Sequence, residues 1–175
     1  MTIQPNGLYF LYEIKELVNG IGGVYNDPKE RPVAALIQSD DDPTIYWSIP
    51  VGDVAHRTEE QMKRIKKFLD YPETDMRHHY YHIGKTDKDS IFFVSDAIPI
   101  TPAYIAEEYR TFNSQHYIIK NKQLISDLSR KLKRILSFEK AKQKQTGKHY
   151  FRQNIYGAYD VMLGENKLFN ELHSK

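Results

Sequence analysis

Pro32 to Ile37 is an unbroken apolar run, the body of a buried strand that extends to Gln38. Thr44 to Val51, across the acidic turn Asp40 to Pro43, is a second run rich in aromatic and β-branched residues. Apolar runs this short, bounded by turn residues, are strands rather than helices, and a polar turn between them makes a hairpin. An antiparallel sheet containing this hairpin is the frame into which the remaining segments must fit. Leu8 to Leu11 reads as a first strand, followed by a short amphipathic piece ending near Asn19-Gly20. Tyr80 to Ile83 and Ser90 to Ile98 read as another hairpin around the polar turn Gly84 to Asp89.

Helices are announced by their ends. Thr58 with Gln61 has the form of a capping box, and Met62, Ile65, Phe68 and Leu69 follow at helical spacing until Pro72. Thr101-Pro102 reads as a cap with proline at the first helical position, predicting a helix to about Tyr109. The longest helix is predicted from about Asn121 to Gln143, with Leu124, Ile125, Leu128, Leu132, Ile135 and Leu136 as its buried stripe and basic residues on the other face. The expectation is an α+β fold of one domain, 1–175, its sheet wrapped by about four helices.

Composition narrows the chemistry. The 175 residues are 40% hydrophobic and 27% charged, which is ordinary globular composition. The longest apolar runs fall far short of the ~18 residues of a membrane span, and no basic and apolar leader pattern opens the sequence, so a cytoplasmic protein is expected. With no cysteine, disulfides, thiolate zinc sites and cysteine nucleophiles are excluded.

The net charge of +2 hides an asymmetry. Leu128 to Lys148 holds Arg130, Lys131, Lys133, Arg134, Lys140, Lys142, Lys144 and Lys148 against the one acid Glu139, and Lys63 to Lys67 is a second cluster. Together with 13 tyrosines this favours a polyanion that also offers unpaired bases, namely RNA, since cations hold phosphates and aromatic faces hold bases. Gly84-Lys85-Thr86 is not a phosphate loop, because His79 stands where that motif needs glycine. His78, His79 and His82 are read as an aromatic strand face, not as a metal site.

RNA can be cut without metal or cofactor. The neighbouring 2′-hydroxyl attacks phosphorus, and the protein supplies a base, an acid and cations for the phosphorane. His56-Arg57, between the Trp47 strand and the Thr58-capped helix, lies where a strand end and a helix N-terminus converge on an anion. Tyr25, Lys29 and Arg31 sit at the entry of the Pro32 strand and exceed what a loop needs.

Three segments, YNDPKERPVAALI, YWSIPVGDVAHR and SIFFVSDAIPIT, resemble in order and spacing the ToxN/CptN/AbiQ family of endoribonuclease toxins of type III toxin–antitoxin systems. The resemblance implies a compact, strongly twisted antiparallel sheet related to the MazF-type barrel. It also implies sequence-specific, metal-independent cleavage to a 2′,3′-cyclic phosphate and a role in phage defence. The partners it implies are cellular or phage mRNA as substrate and an inhibitory RNA pseudoknot from a tandem-repeat transcript, held in a closed protein–RNA hetero-oligomer. On this likeness Tyr25 matches the loop tyrosine, and Lys29 or Arg31 the loop lysine. Gly52-Asp53 replaces a threonine-serine pair, and His56 with Arg57 would serve proton transfer and the phosphate. Tyr9 and Tyr12 are equally near the N-terminal tyrosine. Trp47, Asp53, Lys85, Arg130, Lys131, Arg134, Lys142, Lys144 and Lys148 are the expected RNA contacts. A non-catalytic RNA-binding module, or a MazF-like toxin with a protein antitoxin, would account for the same features in other ways.

Overall fold

The computed structural model describes residues 1–25 and 31–174. Lys29, one of the two candidates for the loop cation, lies outside the described residues.

The expected hairpin is β2, Val33–Gln38, and β3, Tyr46–Asp53, paired from Val33 opposite Pro50 to Gln38 opposite Tyr46. Val33 to Leu36 are all buried, so this part of β2 lacks a solvent face and reads as continuously apolar instead of alternating. β1, Leu8–Leu11, lies on the other edge of β2.

The far edge of β3 is shared. β5, Asp89–Phe93, pairs with Val51 to Asp53, and β6, Ile98–Ile100, pairs with Tyr46 to Ser48. The expectation of one strand from Ser90 to Ile98 is therefore corrected: the chain leaves the ladder in a 3-10 turn, Val94–Asp96, and rejoins β3 in a new register. Pro50 occupies the gap. Because the Val51 N–H bonds Pro32 O on the β2 side, the nitrogen of Pro50 faces the opposite edge, where the ladder is already interrupted.

β4, Tyr81–Lys85, completes a hairpin with β5, and β7, Ile105–Glu108, covers the free edge of β1. The helix expected from Thr101 to Tyr109 is absent. Thr101 makes no side-chain cap, only a 3-10 turn forms at Pro102–Tyr104, and the following residues gain more by pairing with β1. The order is β4-β5-β3-β2-β1-β7, with β6 beside β3, in one seven-stranded antiparallel sheet. The sheet is not closed into a barrel. Its ends nevertheless approach, since Tyr109, just past β7, donates from Oη to Asp87 in the β4–β5 turn at 2.9 Å.

Four α-helices accompany the sheet among the described residues. α1 is Ile14–Gly20, and α2, Glu59–Leu69, has the full reciprocal capping box of Thr58 and Gln61. α3, Lys122–Thr146, is capped by Asn121 and ends at Gly147, whose φ of 71° suits glycine. Leu124, Leu128, Leu132, Ile135 and Leu136 of the expected stripe are buried, whereas Ile125 is half-buried beside them. α4, Ile155–His173, was not anticipated; Gly157 and Gly164 dilute its pattern, but Ile155, Ala158, Tyr159 and Met162 are buried at helical spacing. No helix among the described residues is long and apolar enough to cross a membrane.

Two expected RNA contacts are corrected by burial. Trp47 is 7% exposed and stacks on Tyr159 of α4 with ring centroids 4.7 Å apart, so its face is already used within the core. Lys131 is 3% exposed and donates from Nζ to Tyr81 O at 2.8 Å, fastening α3 to β4. Burial pushes its pKa down to about 8. His78 and His79 also depart from the strand reading, lying in a 3-10 turn, Met76–His79, while burial lowers His82 on β4 to about 4.

Candidate active site

The C-terminal end of β3 generates the site. Asp53 ends the strand and caps the 3-10 turn Val54–His56, its Oδ1 accepting from Ala55 N at 2.8 Å. Its Oδ2 lies 3.5 Å from His56 Nε2 and 3.4 Å from Lys88 Nζ. That carboxyl is held below the usual carboxylate range, first by the bond from Ala55 N–H, with Lys88 and His56 adding their charges against a smaller desolvation effect. At Lys88 burial opposes the charge, yet Tyr109, Asp53 and Asp87 together hold the amine above its ordinary value. Lys88 therefore stays protonated at neutral pH.

Around this carboxylate is a cleft of about 350 Å³ lined by Arg31, His56, Arg57, Lys88, Ser90 and Tyr109, among others. The register explains the convergence: Asp53 faces Ser90 across β3 and β5, which puts the β4–β5 turn carrying Lys88 over the start of the His56 turn. Tyr109 arrives from the opposite end of the curled sheet. Burial, then Asp87, raises its phenol pKa, so it too remains protonated. Thr86 Oγ1 and Ser90 Oγ lie 2.8 Å apart on the same wall.

The guanidinium groups of Arg31 and Arg57 lie 4.9 Å and 5.4 Å from the centroid of the Phe93 ring. Cation–π contact of this kind helps orient both guanidinium groups over one ring. Gly52 makes the arrangement possible, since a Cβ there would fall 2.8 Å from Phe93 Cε2 and 3.2 Å from an Arg57 terminal nitrogen. The Gly52-Asp53 pair thus has a physical role of its own, packing at one residue and carboxylate orientation at the next.

A second cavity, about 430 Å³, adjoins the first and shares Arg31, Arg57 and Gln61 with it. Tyr25 lines this second cavity, together with Arg64, Tyr81, Phe93, Asp96 and Arg152. The loop bearing Tyr25 is anchored from α4's approach: Gln153 accepts from Val24 N at 3.1 Å and donates to Val24 O at 2.8 Å. Tyr25 N bonds Asn19 Oδ1 at 2.8 Å.

Of the proposed reactive residues, Arg31, His56 and Arg57 meet in the first cleft, with Asp53 as their neighbour, and Tyr25 stands in the adjoining cavity. The remaining cations stand elsewhere. Lys85 is exposed at the end of β4 and lines neither cavity, and no residue of α3 lines either one. Arg130 and Arg134 flank a shallow serine-lined depression on α3, while Lys142 lies over Phe138 and Tyr150. Lys144 and Lys148 are exposed at the helix end.

Lys88, Tyr109 and Arg152 were missed by sequence reasoning. Nothing local marks them; only strand register brings Lys88 to Asp53, and only sheet curvature brings Tyr109. Among the described residues no group of three or more His, Asp or Glu side chains is arranged to hold a metal ion. Comparison with protein-family models and with curated proteins gives no match to this chain.

Proposed function

We propose that this chain is a metal-independent endoribonuclease of the toxin class its sequence resembles. The observation that carries the reading is one carboxylate, Asp53, within 3.5 Å of His56 and 3.4 Å of Lys88 at a cleft that also presents Arg31 and Arg57. This set contains a base and the cations that transesterification needs, and Tyr109 adds a protonated hydroxyl.

In the proposed reaction His56 takes the proton of a ribose 2′-hydroxyl, whose oxygen forms the new bond to phosphorus. As the bond from phosphorus to the 5′-oxygen breaks, Tyr109 gives that oxygen its proton and is reprotonated from solvent. Arg31, Arg57 and Lys88 meet the negative charge that builds on the phosphorane. Asp53 orients His56 and Lys88. The products are a 2′,3′-cyclic phosphate and a 5′-hydroxyl.

The curled sheet, whose two ends meet through Tyr109 and Asp87, is compatible with a MazF-related half-barrel. The exposed cations of α3 are proposed to hold an inhibitory RNA, and the protein to act in the cytoplasm on cellular or phage mRNA. The deciding experiment incubates purified protein with RNA in excess chelator and analyses the new ends. Cyclic phosphate and 5′-hydroxyl termini are expected, with no cutting where a 2′-deoxy sugar occupies the scissile position. Cleavage at the deoxy sugar, or dependence on added metal, would sink the mechanism.

A further inference from the structure

The second cavity is left without a role by this chemistry, although it opens directly from the first across Arg31, Arg57 and Gln61. Building on the ribonuclease reading above, we infer that it is a subsite for the nucleotide next to the reacting phosphate, taking that nucleotide's phosphate on Arg64 and Arg152 and its unpaired base against Tyr25 and Tyr81.

Charge is the first argument. Among the described residues the cavity is lined by Arg31, Arg57, Arg64 and Arg152 against a single acid, Asp96, which is itself 2.8 Å from the Arg152 guanidinium. Burial raises the pKa of Asp96, Arg152 and Arg31 beside it oppose that rise, and the carboxylate is already engaged by Arg152. Of the four cations between Lys63 and Lys67, Arg64 alone lines the cavity. Its guanidinium is 5.9 Å from the Phe68 ring, which directs a long side chain.

The walls are held in place. Arg152 is fixed by Asp96, the Tyr25 segment by Gln153 and Asn19, and Tyr81 by its place in β4 opposite Phe93. At about 430 Å³ the space lies within the ~300–1,000 Å³ that small-molecule sites occupy. Aromatic walls with arginines suit a single strand, because a base must be unstacked to reach a ring. A duplex would present only its backbone.

The test uses ligands that cannot be cut. A fluorescein-labelled hexanucleotide pool of random sequence, 2′-O-methylated throughout, is titrated by anisotropy, and a mixture of nucleoside 3′-monophosphates is titrated in competition. Arg64→Glu, on the exposed face of α2, is expected to weaken the hexamer at least tenfold more than the mononucleotides. On the unmodified protein, a 5-iodouridine-containing hexamer is expected to photocrosslink to Tyr25 or Tyr81, located by peptide mass spectrometry. Equal effects on both ligands, or crosslinks confined to Tyr109, would remove the subsite and leave the ribonuclease reading standing. Failure of the unmodified protein to bind the hexamer would remove both.

Discussion

The two basic regions of the molecule are built in opposite ways. On α3 the charges are contiguous in sequence and scattered in effect: Lys131 is buried against Tyr81 O, Arg130 lies 3.4 Å from Glu73 and 3.7 Å from Asp127, and Lys142 rests over two aromatic rings. In the cleft, Arg31, Arg57 and Lys88 come from three separate segments and face one space. Charge density along a chain measures how many cations a helix carries. It does not show where charges from distant segments meet.

The largest expected effect tests the cleft. His56→Ala is expected to lower the cleavage rate by roughly 10² to 10⁴, the usual contribution of a general base. His56 is 67% exposed, so the change leaves the fold intact by circular dichroism, and binding of a 2′-O-methyl RNA stays close to that of the unmodified protein. An unchanged rate would take His56 out of the reaction and leave the cleft a binding surface.

The next effect tests α3 from inside. Lys131→Ala removes a buried stem and the bond to Tyr81 O, and is expected to destabilise by about 2–4 kcal/mol, the range for large-to-small changes in a core. Lys133→Ala, two residues on and at an exposed position of the same helix, is expected to cost less than about 0.5 kcal/mol. Chemical denaturation of the two variants decides. Similar costs would mean that Lys131 does not tie α3 to the sheet.

These contrasts show what the sequence could reveal. The β2–β3 hairpin, the Thr58 capping box and the α3 stripe were legible because each is governed by local periodicity or by a cap within a few residues. The strand break at Val94–Asp96 was not, because it arises from β3 offering its edge to two partners in different registers. Thr101-Pro102 misled for a related reason: its local helix signal lost to pairing between β7 and β1. At the site, Arg31, His56 and Arg57 flank recognisable strands and could be proposed, whereas Lys88 and Tyr109 depend on register and curvature. Trp47 and Lys131 are expected at RNA by residue type alone, although Lys131, three residues after Leu128 and four before Ile135, falls on the stripe that periodicity marks as buried.

A smaller effect follows from the titration of Lys131. Its pKa in the folded protein is about 8, below the roughly 10.4 of an unfolded lysine. Between these values the unfolded chain binds more protons, so this group makes stability rise as pH increases from about 8 toward 10. Below about 8 both states carry the charge and its penalty is constant. Urea unfolding at pH 8.0 and 9.5 should therefore show a smaller gain with pH in Lys131→Met than in the unmodified protein. The comparison between the two proteins cancels the tyrosines that titrate nearby. An identical gain would place the Lys131 amine in contact with water.

The smallest effect distinguishes the exposed α3 cations from the buried one. If Lys144 and Arg134 neutralise phosphates of a bound RNA, replacing either by alanine removes one released counterion, and the slope of log affinity against log salt should flatten by roughly 0.7 to 0.9. Lys131→Met removes the same formal charge from the same helix, but from a side chain that is 3% exposed and bonded to Tyr81 O. Its salt slope is expected to match the unmodified protein. Titrations of a structured RNA across a range of salt concentrations separate the possibilities. Equal flattening by all three substitutions would mean that net charge, and not phosphate contact, governs binding. No flattening by any would reduce the basic face of α3 to a solvated surface and leave the cleft alone as the proposed RNA contact.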